Sequence, residues 1–334
     1  MISTTAPGKA VLSGEYVVLQ GAAAIATAVD RRVRVTVAES PGEYHSINAP
    51  GYLEGSWHFR QGAGGEFAWR DRLPGPSAFS LVEAIWKSFD TAQWPSLALV
   101  IDTQEFCDIA TGAKIGLGSS AAVSVALTAA LQKYRSPGID VENVAMDAHA
   151  RFQGGRGSGI DVATSLHGGV ILYRRAGTGA RQLGWPAGLH YRFLWSGRAA
   201  VTAEKLAKLG DRFGHGAKSD SMKLLNEHAE NVSAAWSLGD SRQILESFPA
   251  YIAALRRFSV DHDLGIFDAG HEDLARLASD NGIVYKPCGA GGGDIGIVLA
   301  ASGQAIDEFC EGARQQDFRI LDIALESAGV LFAE

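Results

Sequence analysis

Cysteine is scarce: Cys107, Cys288 and Cys310 are the only three in 334 residues. They are odd in number, far apart and form no CxxC pair, which argues against a disulfide framework or a structural zinc site and fits a reducing, cytoplasmic setting. Long hydrophobic runs are missing too. Nowhere do about 18 apolar residues follow one another, and the opening MISTTAPGKA carries no basic segment ahead of an apolar core, so neither a membrane span nor a leader is expected. An excess of positive charge is also lacking, with 30 Lys and Arg against 37 Asp and Glu and a net charge of −7. That balance argues against nucleic acid or an anionic membrane as the main partner, so an anionic ligand must be met by a few placed cations and backbone amides. The nine histidines include no HExxH, and scattered histidines are more often surface or satisfied core residues than metal ligands.

The length implies about two domains, each able to bury a core. Arg32, Arg34 and Thr36 alternate with Val33, Val35 and Val37, a period of two that predicts a strand with one wet face. Residues 40–76 read as short strands and loops, SAFSLVEAIWKSF as a helix capped by Ser77, and SLALVID at 96–102 as a strand. The stretch 119–134 is apolar nearly all round, the pattern of a buried helix, and a second helix is expected over 140–152. GGVILYRR at 168–175 reads as a strand and AGTGARQLGWPAG as a boundary loop. Beyond it come a strand at LHYRFLW, helices near 201–209, 219–238, 241–258 and 270–281, a strand at 294–300, a helix at AIDEFCEGARQ and a closing strand at SAGVLF. The expectation is α+β, with two domains, 1–186 and 187–334.

Glycine is what the chain has in quantity, 40 residues gathered in a few segments. In KIGLGSSAA at 114–122, Gly116 and Gly118 let backbone approach a ligand closely, and Ser119 and Ser120 open a helix whose first amides are unpaired. That suits phosphate, because a helix N-terminus offers free N–H groups and the positive end of its dipole. The alternative is tight helix packing around a glycine pair. Similar loops occur at APGKAVLSGEY (6–16), GGRGSGID (154–161) and CGAGGGDIGI (288–297). The first sets Lys9 beside a Pro-Gly turn, where a cation could reach a phosphate. In the last, Gly289 to Gly293 hold a single side-chain carbon at Ala290, which calls for close approach of a ligand or of another chain segment. Asp161 could orient or deprotonate an attacking hydroxyl, or could simply cap the helix of VATSLHG. No GxxxxGK[ST] is present, and the dinucleotide GxGxxG logic lacks its acidic partner.

The ordered set APGKAVLSGEY, KIGLGSSAA and KPCGAGGGDIGI resembles the GHMP kinases, in the family's order and across nearly the whole chain. The resemblance implies an N-terminal domain like ribosomal protein S5 domain 2, a ferredoxin-like C-terminal domain, and ATP with Mg²⁺ in the cleft between them. Flanking segments such as HARFQGGRGSGIDVATSLHGG and WSGRAAVT are most similar to the phosphomevalonate kinase branch, which implies transfer of phosphate from ATP to 5-phosphomevalonate. Mevalonate kinases usually carry a Glu eleven residues before the Asp, and here that position is Ala150. Carried over by motif, Lys9 neutralises charge on the hydroxyl and γ-phosphate, and Asp161 orients the hydroxyl or accepts its proton. Lys114, Gly116, Leu117, Gly118, Ser119 and Ser120 hold the nucleotide, with Ser120, or Ser119 in another register, on the metal. Glu15, Tyr16, Arg156, Ser158, Arg198, Lys286, Gly289, Ala290 and Gly291 are the substrate-site candidates. Of these, Arg156, Arg198 and Lys286 are the cations for the acceptor's own phosphate, each readable also as an ordinary exposed base. Cys288 departs from the branch, where Ser is commoner. It offers the substrate a weaker donor or is a small packed residue. The implied partner is a small phosphorylated or carboxylated alcohol, with no nucleic acid and no membrane, and a homodimer is compatible with it. Mevalonate kinase, another small-molecule kinase of the family, diphosphomevalonate decarboxylase and a non-catalytic ligand sensor are the alternatives.

Overall fold

The computed structural model describes residues 1–62, 66–175, 179–200, 205 and 219–333. Two sheets organise it. In the first, β1 (Ile2–Ser13) lies antiparallel to β2 (Ala24–Glu39). On β2 the expected alternation is seen, with Val33, Val35 and Val37 fully buried while Arg34 is exposed. The sheet continues through β6 (Leu97–Asp102), β3 (His45–Ala49), β4 (Leu53–Gln61) and β5 (Phe67–Trp69). The start of β2 also pairs with β7 (Val170–Arg174), which forms a hairpin with β8 (Gly179–Leu183). Three helices, α2 (Ser119–Arg135), α3 (Val141–Phe152) and α4 (Ile160–His167), pack against one another, and α2 and α4 also pack on β1 and β2. Every residue of α2 from Ala121 to Leu131 is buried. That burial is why its sequence shows no polar stripe.

The second sheet has the order β10 (Val284–Pro287), β11 (Ile295–Ala300), β9 (His190–Trp195), β12 (Arg319–Leu321), with every neighbour antiparallel. Helices α5 (Asp220–Leu238), α6 (Ser241–Asp261) and α7 (His271–Asp280) separate β9 from β10, and α8 (Gly303–Arg314) separates β11 from β12. That order and connectivity make a split β-α-β unit of the ferredoxin-like kind. Asp240 caps α6 through its side chain, and Ser219 and Ser302 cap α5 and α8.

Several local expectations are corrected. Helix α1 (Ser80–Trp86) starts three residues after Ser77, which serves it through its carbonyl, accepting from the Ser80 N–H and hydroxyl. The stretch 6–13 is strand, not loop, because Pro7 and Gly8 fall at a shift of register that β1 absorbs without leaving the sheet. The expected boundary loop holds β8. The helix expected near 201–209 lies outside the described residues except for Lys205. The closing strand, β13 (Leu331–Ala333), pairs with β1 and so returns to the first sheet. We propose a domain division near residue 186, between β8 and β9, with this tail crossing back over it.

Candidate active site

The first glycine motif places Lys9 on β1, with its backbone N–H donating to the Leu117 carbonyl at 2.8 Å. The first and second motifs are thereby joined. The Lys9 stem runs across Gly118, where an added β-carbon would sit 2.8 Å from Lys9 Cε. Gly118 has φ 77°, the left-handed region, and forms the cap of α2 with no side chain answering the helix's first amides. Beyond Gly118, a β-carbon at Gly289 would lie 3.9 Å from Lys9 Nζ. The ammonium thus stands between the second and third motifs. Asp294 closes the same corner, for a β-carbon at Gly116 would come within 2.3 Å of its Cγ. Burial pushes the Asp294 carboxyl up, while the Ala200 N–H that it accepts at 3.0 Å and the Lys9 charge oppose that rise.

A second helix begins close by with a glycine at its cap position, its Ile160 N–H donating to Ser158 Oγ at 3.4 Å. Gly159, with φ 86°, precedes α4 and supplies no side-chain cap, and Asp161 occupies the first turn. Asp161 is therefore not the cap. Its Oδ1 accepts from the Val162 N–H at 3.0 Å, and its Oδ2 lies 3.8 Å from His149 Nε2. The same nitrogen lies 3.1 Å from Ser120 Oγ. His149, in the last turn of α3, is only 2% exposed. It is a functional candidate that sequence reasoning missed. The available signal was its place on the face of α3 that buries Ala145 and Ala148, twelve residues ahead of Asp161.

Beside the start of α2 is a cavity of about 90 Å³ walled by Tyr52, Phe79, Val82, Ile101, Val123 and Phe152, with Lys114, Ser119 and Ser120 also lining it. The Lys114 ammonium stands 5.0 Å from the Tyr52 ring centroid. A larger hollow of about 360 Å³ at Thr5, Arg32, Arg34 and Glu105 lies elsewhere. There the Arg32 guanidinium is already held by Glu326, Thr5 and two carbonyls.

The substrate-site candidates divide. Lys286 is neither exposed nor turned to the cleft. It is fully buried, with Nζ 2.5 Å from Glu15 Oε1. Glu15 also accepts from the Tyr251 hydroxyl, and that hydroxyl accepts from the Gly14 N–H at 2.8 Å. A buried ammonium must find an anion, and Glu15 supplies it across the two sheets. Tyr16 takes φ 64° and donates its hydroxyl to the Ala290 carbonyl at 2.6 Å, so this pair braces the third loop. Cys288 is buried and its thiol is pushed up to about 11 by that burial, in keeping with a small packed residue. Within the loop, Gly291 abuts the Ile266 carbonyl, where a β-carbon would come within 2.4 Å. Close approach of chain segments is thus the reason for glycine there, whereas Gly289 faces Lys9. Lys205, also missed, donates to the carbonyls of Gly291, Gly265 and Ala290 at 2.8, 3.2 and 3.4 Å. Arg156 and Arg198 are exposed, and the Ser158 carbonyl accepts from the Tyr173 hydroxyl at 2.9 Å. The Arg198 carbonyl accepts from the Asp294 N–H at 2.7 Å, which holds that turn beside the site.

Taken as chemistry, the uncapped start of α2, one ammonium and glycines that a β-carbon would crowd fit a polyphosphate, and the adjoining apolar cavity fits a flat ring. Among the described residues no group of three or more His, Cys, Asp and Glu could hold a metal ion. A cation here would take most ligands from phosphate oxygens and water, the habit of Mg²⁺.

Known proteins agree with this geometry. Residues 82–169, which include the starts of α2 and α4, match the family model described as "GHMP kinases N terminal domain". A phosphomevalonate kinase of Streptomyces sp. (strain CL190) is 30% identical over 88% of this chain and 88% of its own length. A mevalonate kinase of Methanothermobacter thermautotrophicus is 28% identical over 93% of this chain and 90% of its own. In fold, the chain is similar to the Streptococcus pneumoniae phosphomevalonate kinase solved with phosphomevalonate and AMPPNP (TM-score 0.76, 19% identity, 97% of this chain and 100% of that one). With three glycine segments converging on one lysine and a relative of this identity matched along most of both chains, the protein belongs to the GHMP kinase family.

Proposed function

We propose that the chain transfers the γ-phosphoryl group of ATP to the phosphate of 5-phosphomevalonate, giving ADP and 5-diphosphomevalonate. The observation that carries this reading is the Lys9 stem lying across Gly118 with its ammonium facing Gly289, next to the uncapped start of α2. The choice of acceptor is supported by the Streptomyces relative and by the S. pneumoniae enzyme, which was solved in complex with phosphomevalonate. A phosphorylated acceptor is also favoured by Ala150, eleven residues before Asp161, where mevalonate kinases usually carry a Glu.

In this reading the amides of Gly116 to Ser120 cradle the triphosphate, and the apolar cavity by Tyr52 and Phe79 takes the base. ATP with Mg²⁺ supplies the transferable phosphoryl group and part of its charge neutralisation. Ser120 offers its hydroxyl to that cation. Lys9 lowers the charge on the transferred group, and Asp161 orients the attacking oxygen and receives a proton if the acceptor carries one. In a loose transition state, such positioning and charge balance supply most of the rate. Arg156 and Arg198, both exposed, are the candidate cations for the acceptor's phosphate, since Lys286 is committed to Glu15 and Lys205 to the carbonyls of the third loop and Gly265. Exclusion of water from the cleft would protect ATP from hydrolysis.

Mevalonate as acceptor is the second reading, favoured by the Methanothermobacter relative's coverage. The test is ADP release from the purified protein with Mg-ATP and, separately, 5-phosphomevalonate, mevalonate or 5-diphosphomevalonate, with CO₂ followed in parallel. Turnover on 5-phosphomevalonate alone is expected. Turnover on mevalonate alone would move the assignment to the second reading, and CO₂ release would make the protein a decarboxylase.

A further inference from the structure

We propose that His149 is a positioning residue that fixes the Ser120 hydroxyl and the Asp161 carboxylate together. The inference rests on the proposed function for what those two groups do, and on geometry for how they are held. Three helices meet at this point: the last turn of α3 and the first turns of α2 and α4. The imidazole is 2% exposed, and of its two nitrogens Nε2 is the one that meets polar side chains. Nε2 faces two oxygens, Ser120 Oγ at 3.1 Å and Asp161 Oδ2 at 3.8 Å.

The identity of those atoms selects the direction of the hydrogen bond. A carboxylate only accepts, whereas a hydroxyl can donate or accept. A bare Nε2 would turn its lone pair toward the carboxylate, while an Nε2–H satisfies the hydroxyl oxygen and attracts the carboxylate as well. We assign the hydrogen to Nε2 on that network. Ser120 then accepts from His149, and its own hydrogen is turned away from the ring, free to meet a phosphate oxygen. Asp161 is held from both sides, its Oδ1 by the Val162 N–H at 3.0 Å and its Oδ2 by the field of the ring N–H. His149 acts through these two side chains, and the ring needs no contact with substrate.

The plain alternative is that the ring only fills space between helices. Two substitutions separate the readings: His149→Phe keeps the ring's bulk without a donor, and His149→Gln sets an amide N–H near the Nε2 position without the ring. Melting temperature, kcat and KM with each substrate, and calorimetric titration with Mg·AMPPNP are measured on the full chain. His149→Phe should keep a melting temperature close to the parent and lose kcat by roughly 10 to 100-fold, as do losses of residues that orient a site. Its Mg·AMPPNP affinity should fall by about tenfold or more. His149→Gln should recover most of both losses. A His149→Phe protein with parental kcat and nucleotide affinity would overturn the proposal, as would His149→Gln no better than an equally stable His149→Phe. Should His149→Phe fail to fold, His149→Asn, whose amide falls short of the Nε2 position, replaces it as the comparison, and equal activity of Asn and Gln variants would overturn the proposal. If the parent protein turned over no acceptor, the proposed function would fail while the Mg·AMPPNP titrations still decided the role of His149.

Discussion

At the scale of single residues, Lys9 and Asp161 have the clearest roles to test. Asp161 answers only the Val162 N–H of its helix, and an Asn amide oxygen can accept that bond as well, so Asp161→Asn should leave folding intact and lower kcat by at least about 10²-fold. Lys9→Met should do the same, because its ammonium is the charge that the three glycine segments surround. Turnover near the parental rate with an unchanged melting curve would remove either residue from the chemistry. Cys288 is the contrasting case. Burial pushes its thiol up to about 11, so at pH 8 it stays protonated and unreactive. Iodoacetamide should therefore modify the half-buried Cys107 well before Cys288 in the folded protein, and equal rates by mass spectrometry would contradict the packed reading.

The pair of Lys286 on β10 and Glu15 just beyond β1 belongs to the scale of elements, for it ties one sheet's first strand to the strand that leads into the third glycine loop. Removing one member strands a buried charge. Lys286→Met should cost about 3–5 kcal/mol in a urea titration, whereas the double change with Glu15→Gln should recover most of it. An additive loss in the double variant would mean that the two groups do not depend on each other. This pair also marks where sequence reading ended. Glu15 and Lys286 stand 271 residues apart, and nothing local distinguishes a buried ammonium from an exposed one. Helices α3, α5 and α6 were legible because their periodicity and flanking residues agree with their final burial, and α2 because it is apolar nearly all round. Strand β1 was obscured by Pro7 and Gly8, which look like a turn in isolation but sit at a register shift. The short β10 and β12, of four and three residues, owe their form to sheet neighbours and leave little pattern of their own. In the site, Lys9, Ser120 and Asp161 could be read because glycines frame them, while His149 lies within a helix and acquires its meaning only when three helices meet.

For the whole molecule, a buried imidazole, His271, and a half-buried one, His45, set an acid limit. His45 accepts the Leu97 N–H through Nδ1 at 3.0 Å, and His271 lies between the Tyr285 hydroxyl at 2.8 Å and the Gly293 carbonyl at 3.0 Å. Burial lowers each from 6.5 to about 4. Above pH 6.5 the folded and unfolded chains both carry them neutral. As pH falls from there, the unfolded chain takes up protons that the folded one refuses until about pH 4, so stability declines across that window and this decline ends below it. His271 contributes roughly 3 kcal/mol to the fall and the more exposed His45 less. Urea midpoints at pH 7, 5.5 and 4.5 should drop in that order, and a flat series would show that these rings are solvated.

The return of β13 to β1 carries a consequence for how the chain is made. Ser3, Thr4 and Thr5 pair with Ala333, Phe332 and Leu331, so the strand bearing Lys9 leaves the ribosome long before its outer neighbour does. Until then its edge offers unpaired N–H and C=O groups to any passing strand. The second sheet is therefore synthesised before the first is closed, and a chain cut near residue 186 would keep the first two glycine motifs, lose the third, which Lys9 also faces, and leave that edge open to association.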